Sequence, residues 1–304
     1  MLAPLVTGIH HVTAFAGDAA RNLRFYSEVL GFGLVKRTVN FDAPSMWHLY
    51  YGLAGGAPGT LLTHFPEPRA ARARHGGSEI SAVTIACDPQ RLDALSERLA
   101  STGARLAHAS EFGRTVLTFE DPDGMRLALE ADARRRTPHA QAEIARVTIT
   151  VPDARETASF LSDALGFTTI GEEIRDGRPN LRLGLGDGGC GREIDVVHAP
   201  DLAPEPMAAG TIHHVAWRVA DDAAQAHASA TLGARGVAVT PVRDRSYFRS
   251  IYFRIPGGVL FEIATDGPGF AIDEQPDALG RALRLPPQYE ARRTAIEAAL
   301  PSLD

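Results

Sequence analysis

The chain repeats itself. The run Asn22-Leu23-Arg24-Phe25-Tyr26-Ser27-Glu28-Val29-Leu30-Gly31-Phe32 returns 135 positions on as Thr157-Ala158-Ser159-Phe160-Leu161-Ser162-Asp163-Ala164-Leu165-Gly166-Phe167. Each copy reads as an amphipathic helix stopped by a glycine. A second echo, 134 positions apart, links Asp121-Pro122-Asp123-Gly124-Met125 to Ile255-Pro256-Gly257-Gly258-Val259, both turn signals between strand-like runs. Such a chain is constrained to fold as two halves of similar size.

Each half divides again. Strand-like runs at 8–15, 80–86, 144–151 and 212–219 recur every 65 to 75 residues or so, and a helix is expected behind each, at 20–30, 89–101, 155–165 and 223–232. Further strand pieces at 47–51, 60–65, 115–119, 125–130 and 251–255 fill out the units. Residues 131–142 are charged, lack apolar periodicity and contain Pro138, so the halves are expected at 1–134 and 143–270, joined by a linker at 135–142. In the tail, 271–304, the spacing of Tyr289, Ile296 and Ala299 predicts one amphipathic helix over 286–300, packed on the body or on a partner subunit.

With 304 residues, 44% hydrophobic and 22% charged, the chain has the composition of an ordinary globular protein of about two domains. A net charge of -6 gives no electrostatic footprint for nucleic acid, and the cluster Arg134-Arg135-Arg136 falls at the linker, where solvent explains it. Cys87 and Cys190 have neither CxxC spacing nor a histidine partner and read as packed free thiols. The N-terminus lacks the basic and apolar regions of a signal peptide, and no apolar run reaches membrane-spanning length. The expectation is a soluble, cytoplasmic protein with no membrane or nucleic-acid partner.

Chemistry enters with Ile9-His10-His11-Val12, which returns 203 positions on as Ile212-His213-His214-Val215, with Asp18 and Asp221 in step. Glu262 follows inside the apolar run Val259-Leu260-Phe261-Glu262-Ile263, where an unpaired carboxylate is costly. Two imidazoles and a carboxylate on one face of a divalent ion leave the other face open, as in oxygen-activating Fe(II) sites. Side chains alternate along a strand, so His11 shares a face with Thr13 while His10 points away unless the strand bends. The rival reading satisfies both His pairs in a core or loop and pairs Glu262 with Arg243, Arg245, Arg249 or Arg254. The repeat relation between the pairs favours the metal. The inner units act as a control: their leading strands contain no histidine, and Ala128 stands where Glu262 does, so one metal per chain is expected, shared by the first and last units.

His48 and His64 lie in strands of the first unit and face either a pocket or the core. His75, His108, His139, His198 and His227 have no partner at ligand spacing and are expected in solvent. The segment from Arg243 to Tyr252, with Arg245, Tyr247 and Phe248, is dense in guanidinium and aromatic groups. It either orients a phenolate near the metal or forms a solvated strand edge.

Gly8-Ile9-His10-His11-Val12-Thr13, the segment from Val35 to Asp42, His48-Leu49-Tyr50-Tyr51-Gly52, Asp244-Arg245-Ser246-Tyr247-Phe248, the segment from Pro256 to Ile263 and Leu285-Pro286-Pro287 together resemble the vicinal oxygen chelate superfamily. Within it the chain resembles hydroquinone ring-cleaving dioxygenases of the chlorohydroquinone and methylhydroquinone 1,2-dioxygenase type. The resemblance spans nearly the whole chain. It implies an α+β fold of four βαβββ modules arranged as two tandem vicinal-oxygen-chelate domains. Carried over residue by residue, it implies metal ligands His11, His214 and Glu262. It also implies outer residues His10, His213, Arg245 and Tyr252 for catalysis, with Thr13, Tyr247, Phe248 and His48 toward the substrate.

The resulting expectation is an Fe(II)-dependent enzyme, with Mn(II) an alternative for the same ligands, that opens a para-dihydroxy aromatic beside a hydroxyl with O2. Proton transfer falls to His213 or His10. A homo-oligomer is compatible with the resemblance. Two rivals stand beside this: a metal-dependent isomerase or lyase of the glyoxalase type, and a metal-free small-molecule binding protein on the same fold. The isomerase normally wants a second carboxylate ligand, and the strand Thr60-Leu61-Leu62-Thr63-His64 offers none.

Overall fold

The computed structural model describes residues 4–52, 55–133 and 143–304; the expected linker at 135–142 and His139 lie outside the described residues. Four units of one design follow each other. The first runs β1 (Ile9–Ala16), α1 (Ala19–Arg24), β2 (Gly33–Asn40), β3 (Ala43–Gly52) and β4 (Leu61–Pro66). The second has β5 (Glu79–Cys87), α2 (Pro89–Ser101), β6 (Ala107–Glu111), β7 (Arg114–Glu120) and β8 (Arg126–Ala131). The third comprises β9 (Glu143–Val151), α3 (Ala154–Leu165), β10 (Phe167–Arg175), β11 (Arg178–Leu185) and β12 (Glu193–His198). The fourth is β13 (Ile212–Val219), α4 (Asp222–Ala234), β14 (Arg243–Asp244), β15 (Arg249–Arg254) and β16 (Leu260–Thr265).

Local chemistry starts the helix of each unit the same way. Asp18, Asp88, Asp153 and Asp221 each sit at the N-cap and accept from a backbone N–H of the first turn. The expected helix at 20–30 changes character midway: Phe25–Val29 is a π-helical turn, with the Leu30 N–H donating to the Phe25 carbonyl. The wider turn leaves the Tyr26 ring stacked on Tyr51 and its hydroxyl donating to Asp121 Oδ2 at 3.0 Å.

In each unit the leading strand pairs in parallel with the last, followed by the third and second in antiparallel order. The units then join out of sequence order. β1 pairs antiparallel with β13, and β5 with β9, so the first unit closes on the fourth and the second on the third. A bridge from Ile212 to Ile80 links the two pairs. The leading strands are buried on both faces, which explains their near-continuous apolar character.

The tail departs from the expected single helix. It forms two short helices, α5 (Pro287–Glu290) and α6 (Arg293–Ala299), and Ala299 is exposed while Leu300 packs inward. The break lets Tyr289 and Ile296 both reach the β2–β3 hairpin: the Tyr289 hydroxyl donates to the Phe41 carbonyl at 2.6 Å, and Ile296 and Leu285 pack on Val39. Tertiary contact here overrides periodicity. Among the described residues no helix is long and apolar enough to cross a membrane. Cys87 is a buried free thiol, and the Cys190 thiol meets Glu143 Oε2 at 3.6 Å.

Candidate metal centre

The pairing of β1 with β13 brings together residues 203 positions apart. Its register slips twice: Ile9 faces Trp217 and His11 faces Ala216, so His10 is an extra residue on β1. Thr13 faces His214 and Ala14 faces Ile212, so His213 is the extra residue on β13. A bulge at each outer histidine bends its strand and re-aims the side chains around it. His10 therefore does not simply point away from His11; the two Nδ1 atoms lie 2.9 Å apart, and those of His213 and His214 lie 2.7 Å apart.

The inner imidazoles turn their other nitrogens to a common point. His11 Nε2 and His214 Nε2 are 3.3 Å apart, and Glu262 Oε2 lies 3.5 Å from the first and 2.8 Å from the second. All three residues are buried, and Glu262 is fully enclosed. Burial alone would push the Glu262 carboxyl up, but the imidazoles of His11 and His214 outweigh it and hold it well below the usual carboxylate range. Its Oε2 has no well-formed hydrogen bond, an arrangement expensive for a buried carboxylate unless a cation sits beside it. The donor set and the orphaned oxygen fit a divalent metal. None of the arginines considered as partners reaches Glu262: Arg245 pairs with Asp42, Arg249 with Asp222, and Arg254 donates to the Gly258 carbonyl.

Further groups orient these ligands. With Nε2 of each inner histidine given to the metal, its Nδ1–H donates to Nδ1 of the outer histidine, so each pair fixes its own tautomer. That role needs neutral outer rings, and burial, helped by the adjacent inner histidine, pushes both His10 and His213 down to about 3. The Ser250 hydroxyl donates to Glu262 Oε1. Replacing Ser250 by alanine should weaken metal affinity roughly tenfold to a hundredfold while the chain stays folded, read by metal titration.

The ligands form one side of a cavity whose wall includes His48, Tyr50, Phe65, His213, Phe248 and Tyr252. Arg245 enters at the rim, its Nε donating to the Tyr252 hydroxyl at 3.2 Å. His48 faces the cavity, with Nε2 2.8 Å from Thr63 Oγ1, which lies 2.8 Å from Thr13 Oγ1. Burial holds the His48 imidazole well below its usual range. His64 instead turns into the core against Tyr26, because it is one step along β4 from Thr63.

Three expected site residues stand back from the cavity wall. The Thr13 hydroxyl bonds to Thr63 and does not line the wall. His10 is sealed behind His11 and Phe248. Tyr247 departs furthest: its hydroxyl donates to Asp273 and its ring stacks on Phe270, because Ser246 takes a left-handed backbone that turns Tyr247 away from Phe248. His75, expected in solvent, is mostly enclosed beside Glu79 and the Gly124 carbonyl. Sequence reasoning missed Ser250, Thr63 and Asp42. Ser250 had a readable signal, since it alternates with Tyr252 on a strand opposite Glu262.

The pair formed by the second and third units repeats the geometry without the chemistry. Ser81 and Ala145 are the extra residues in its register, placing Ala82 and Arg146 where His214 and His11 stand. Ala128 faces Thr84 as Glu262 faces Ala216. Two ligand positions are thus alanine, and the third carries a fully buried guanidinium that meets Glu130, Glu111 at 3.0 Å and Asp195 at 3.3 Å.

A fold of paired strand–helix–strand units with a metal-type cluster shared across them is the architecture of the glyoxalase class, and sequence comparison agrees. The family model described as Glyoxalase/Bleomycin resistance protein/Dioxygenase superfamily matches residues 8–129 and 143–263, and the chain belongs to that superfamily. Chain-wide relatives narrow this. MhqA of Bacillus subtilis (strain 168), provisionally named a ring-cleaving dioxygenase, is 40% identical over 97% of this chain and 98% of its own. The chlorohydroquinone/hydroquinone 1,2-dioxygenase of Sphingobium indicum is 35% identical over 94% of this chain and 93% of its own. A crystal structure from Bacillus subtilis subsp. subtilis str. 168, described provisionally as a dioxygenase, superposes with a TM-score of 0.92 at 36% identity and 99% coverage of both chains. Glyoxalase I from Zea mays shares the fold, at a TM-score of 0.66 and 16% identity over 85% of this chain and 92% of its own.

Proposed function

We propose that this protein is an Fe(II)-dependent dioxygenase that opens a hydroquinone-type ring beside a hydroxyl group, using both atoms of O2. The observation that carries the reading is the convergence of His11, His214 and Glu262 at a cavity walled by aromatic rings and one guanidinium. Homology to the hydroquinone 1,2-dioxygenase supports it. Iron bound there would supply the redox centre that lets ground-state O2 react with an aromatic ring.

The chain's own groups do the rest. Phe248, Phe65 and Tyr50 exclude water and give a flat ring apolar faces to lie against. Arg245 and Tyr252 present an N–H and O–H array suited to an oxyanion on the substrate, with Tyr252 kept protonated because burial raises its phenol above the usual range. Of the two histidines considered for proton transfer, His213 lies on the cavity wall and His10 does not, so His213 alone of the pair can meet a bound substrate, as a neutral ring. Thr63 stands where a second carboxylate would complete a glyoxalase-type ligand set, and its hydroxyl is engaged with Thr13 and His48.

The test is O2 uptake by Fe(II)-reconstituted protein with hydroquinone and catechol as separate substrates. Consumption with hydroquinone well above that with catechol is the expected result. Turnover of a thiol hemiacetal under strict anaerobiosis with Ni(II) or Zn(II), and none of hydroquinone, would replace the reading by the isomerase one. Unchanged ligand affinity in His11→Ala and His214→Ala would replace it by the metal-free binding protein.

A further inference from the structure

Asp42 is the one carboxylate on the cavity wall, among the described residues, that the ligand set does not use. It sits in the two-residue turn Phe41-Asp42 between β2 and β3, and Asn40 Oδ1 accepts its backbone N–H at 2.9 Å. Facing it from the fourth unit, Arg245 places both Nη atoms 3.2 Å from Asp42 Oδ2. The turn is firmly held. Tyr289 bonds the Phe41 carbonyl, the Arg284 N–H donates to the Arg37 carbonyl at 2.9 Å, and Trp47 Nε1 donates to the Pro301 carbonyl at 2.8 Å.

We propose that Asp42 is a specificity-determining residue: by offsetting Arg245 at the cavity mouth it restricts the site to aromatic rings that carry a single negative charge. The inference rests on the aromatic-pocket reading above. Asp42 is 67% exposed against 19% for Arg245, so the pair contributes little to the fold, but its charges face whatever enters. The guanidinium and carboxylate groups on the wall are Arg245, Asp42 and Glu262. With a divalent cation at the ligands they leave one net positive charge, which one phenolate neutralises. A ring bearing an added carboxylate would bring a second negative charge against Asp42 and find Arg245 already engaged. Removing the Asp42 charge leaves two net positive charges and frees a guanidinium fork that suits a carboxylate.

Equilibrium binding of phenol, 3-hydroxybenzoate and 4-hydroxybenzoate to the anaerobic Fe(II) protein tests this, by calorimetry on wild type, Asp42→Asn and Asp42→Asn/Arg245→Gln. In Asp42→Asn the dissociation constant of at least one hydroxybenzoate, relative to phenol, should fall about tenfold, equivalent to roughly 1.4 kcal/mol. The double variant should return the ratio to the wild-type value. A merely structural Asp42 would weaken all ligands together, and an unchanged ratio in Asp42→Asn overturns the proposal. Failure of phenol itself to bind wild type would overturn the aromatic-pocket reading and this inference with it.

Discussion

Glu262→Gln is expected to abolish tight metal binding and to lower turnover by on the order of a thousandfold, the scale of several kcal/mol lost with a metal centre. The side chain keeps its shape, so the effect isolates the charge. Wild type should gain thermal stability when Fe(II) is added, by about 4 kcal/mol at a thousandfold excess over Kd, while Glu262→Gln does not respond. Thermal melts with and without metal check this. Equal metal-induced shifts in the two proteins would remove Glu262 from the ligand set.

Arg146→Met is expected to destabilise the chain by about 3–5 kcal/mol, because it strips the partner from carboxylates already out of water. Glu130 would lose its closest guanidinium contact, Glu111 would keep only Arg175 at 2.7 Å, and Asp195 would keep Arg182, whose Nε and Nη2 both lie at 2.7 Å. The loss should appear in the denaturant midpoint while metal content stays unchanged, since β5 and β9 carry no ligand of the metal cluster. A simultaneous loss of metal would mean that the two unit pairs are not independent.

Much of this architecture was legible because it is local and periodic. The four leading strands, the aspartate that opens the helix of each unit and the glycines that close several of them are written in adjacent residues, and duplication repeats them. The ligand cluster was legible for a related reason: Glu262 is out of place in an apolar strand, and the two His-His pairs lie at matching positions. That the first and last units meet was legible only through the ligands they share; the pairing of β1 with β13 itself left no local trace, as long-range strand pairing generally does not. The bulges at His10 and His213 were equally invisible, because strand alternation assumes an unbroken register. Tyr247 looked as suitable as Phe248 until one left-handed residue, Ser246, sent it toward Asp273. The broken final helix and Asp42 share a cause: the tail folds onto a hairpin some 250 residues earlier, and only that contact shows what the turn is for.

The most direct test of the whole account is turnover of hydroquinone under isotopically labelled dioxygen by the Fe(II)-reconstituted protein, with mass spectrometry of the ring-opened product. The account predicts that both oxygen atoms added to the ring come from dioxygen, and that Glu262→Gln yields no such product. A product free of label, or carrying oxygen from water alone, would contradict it.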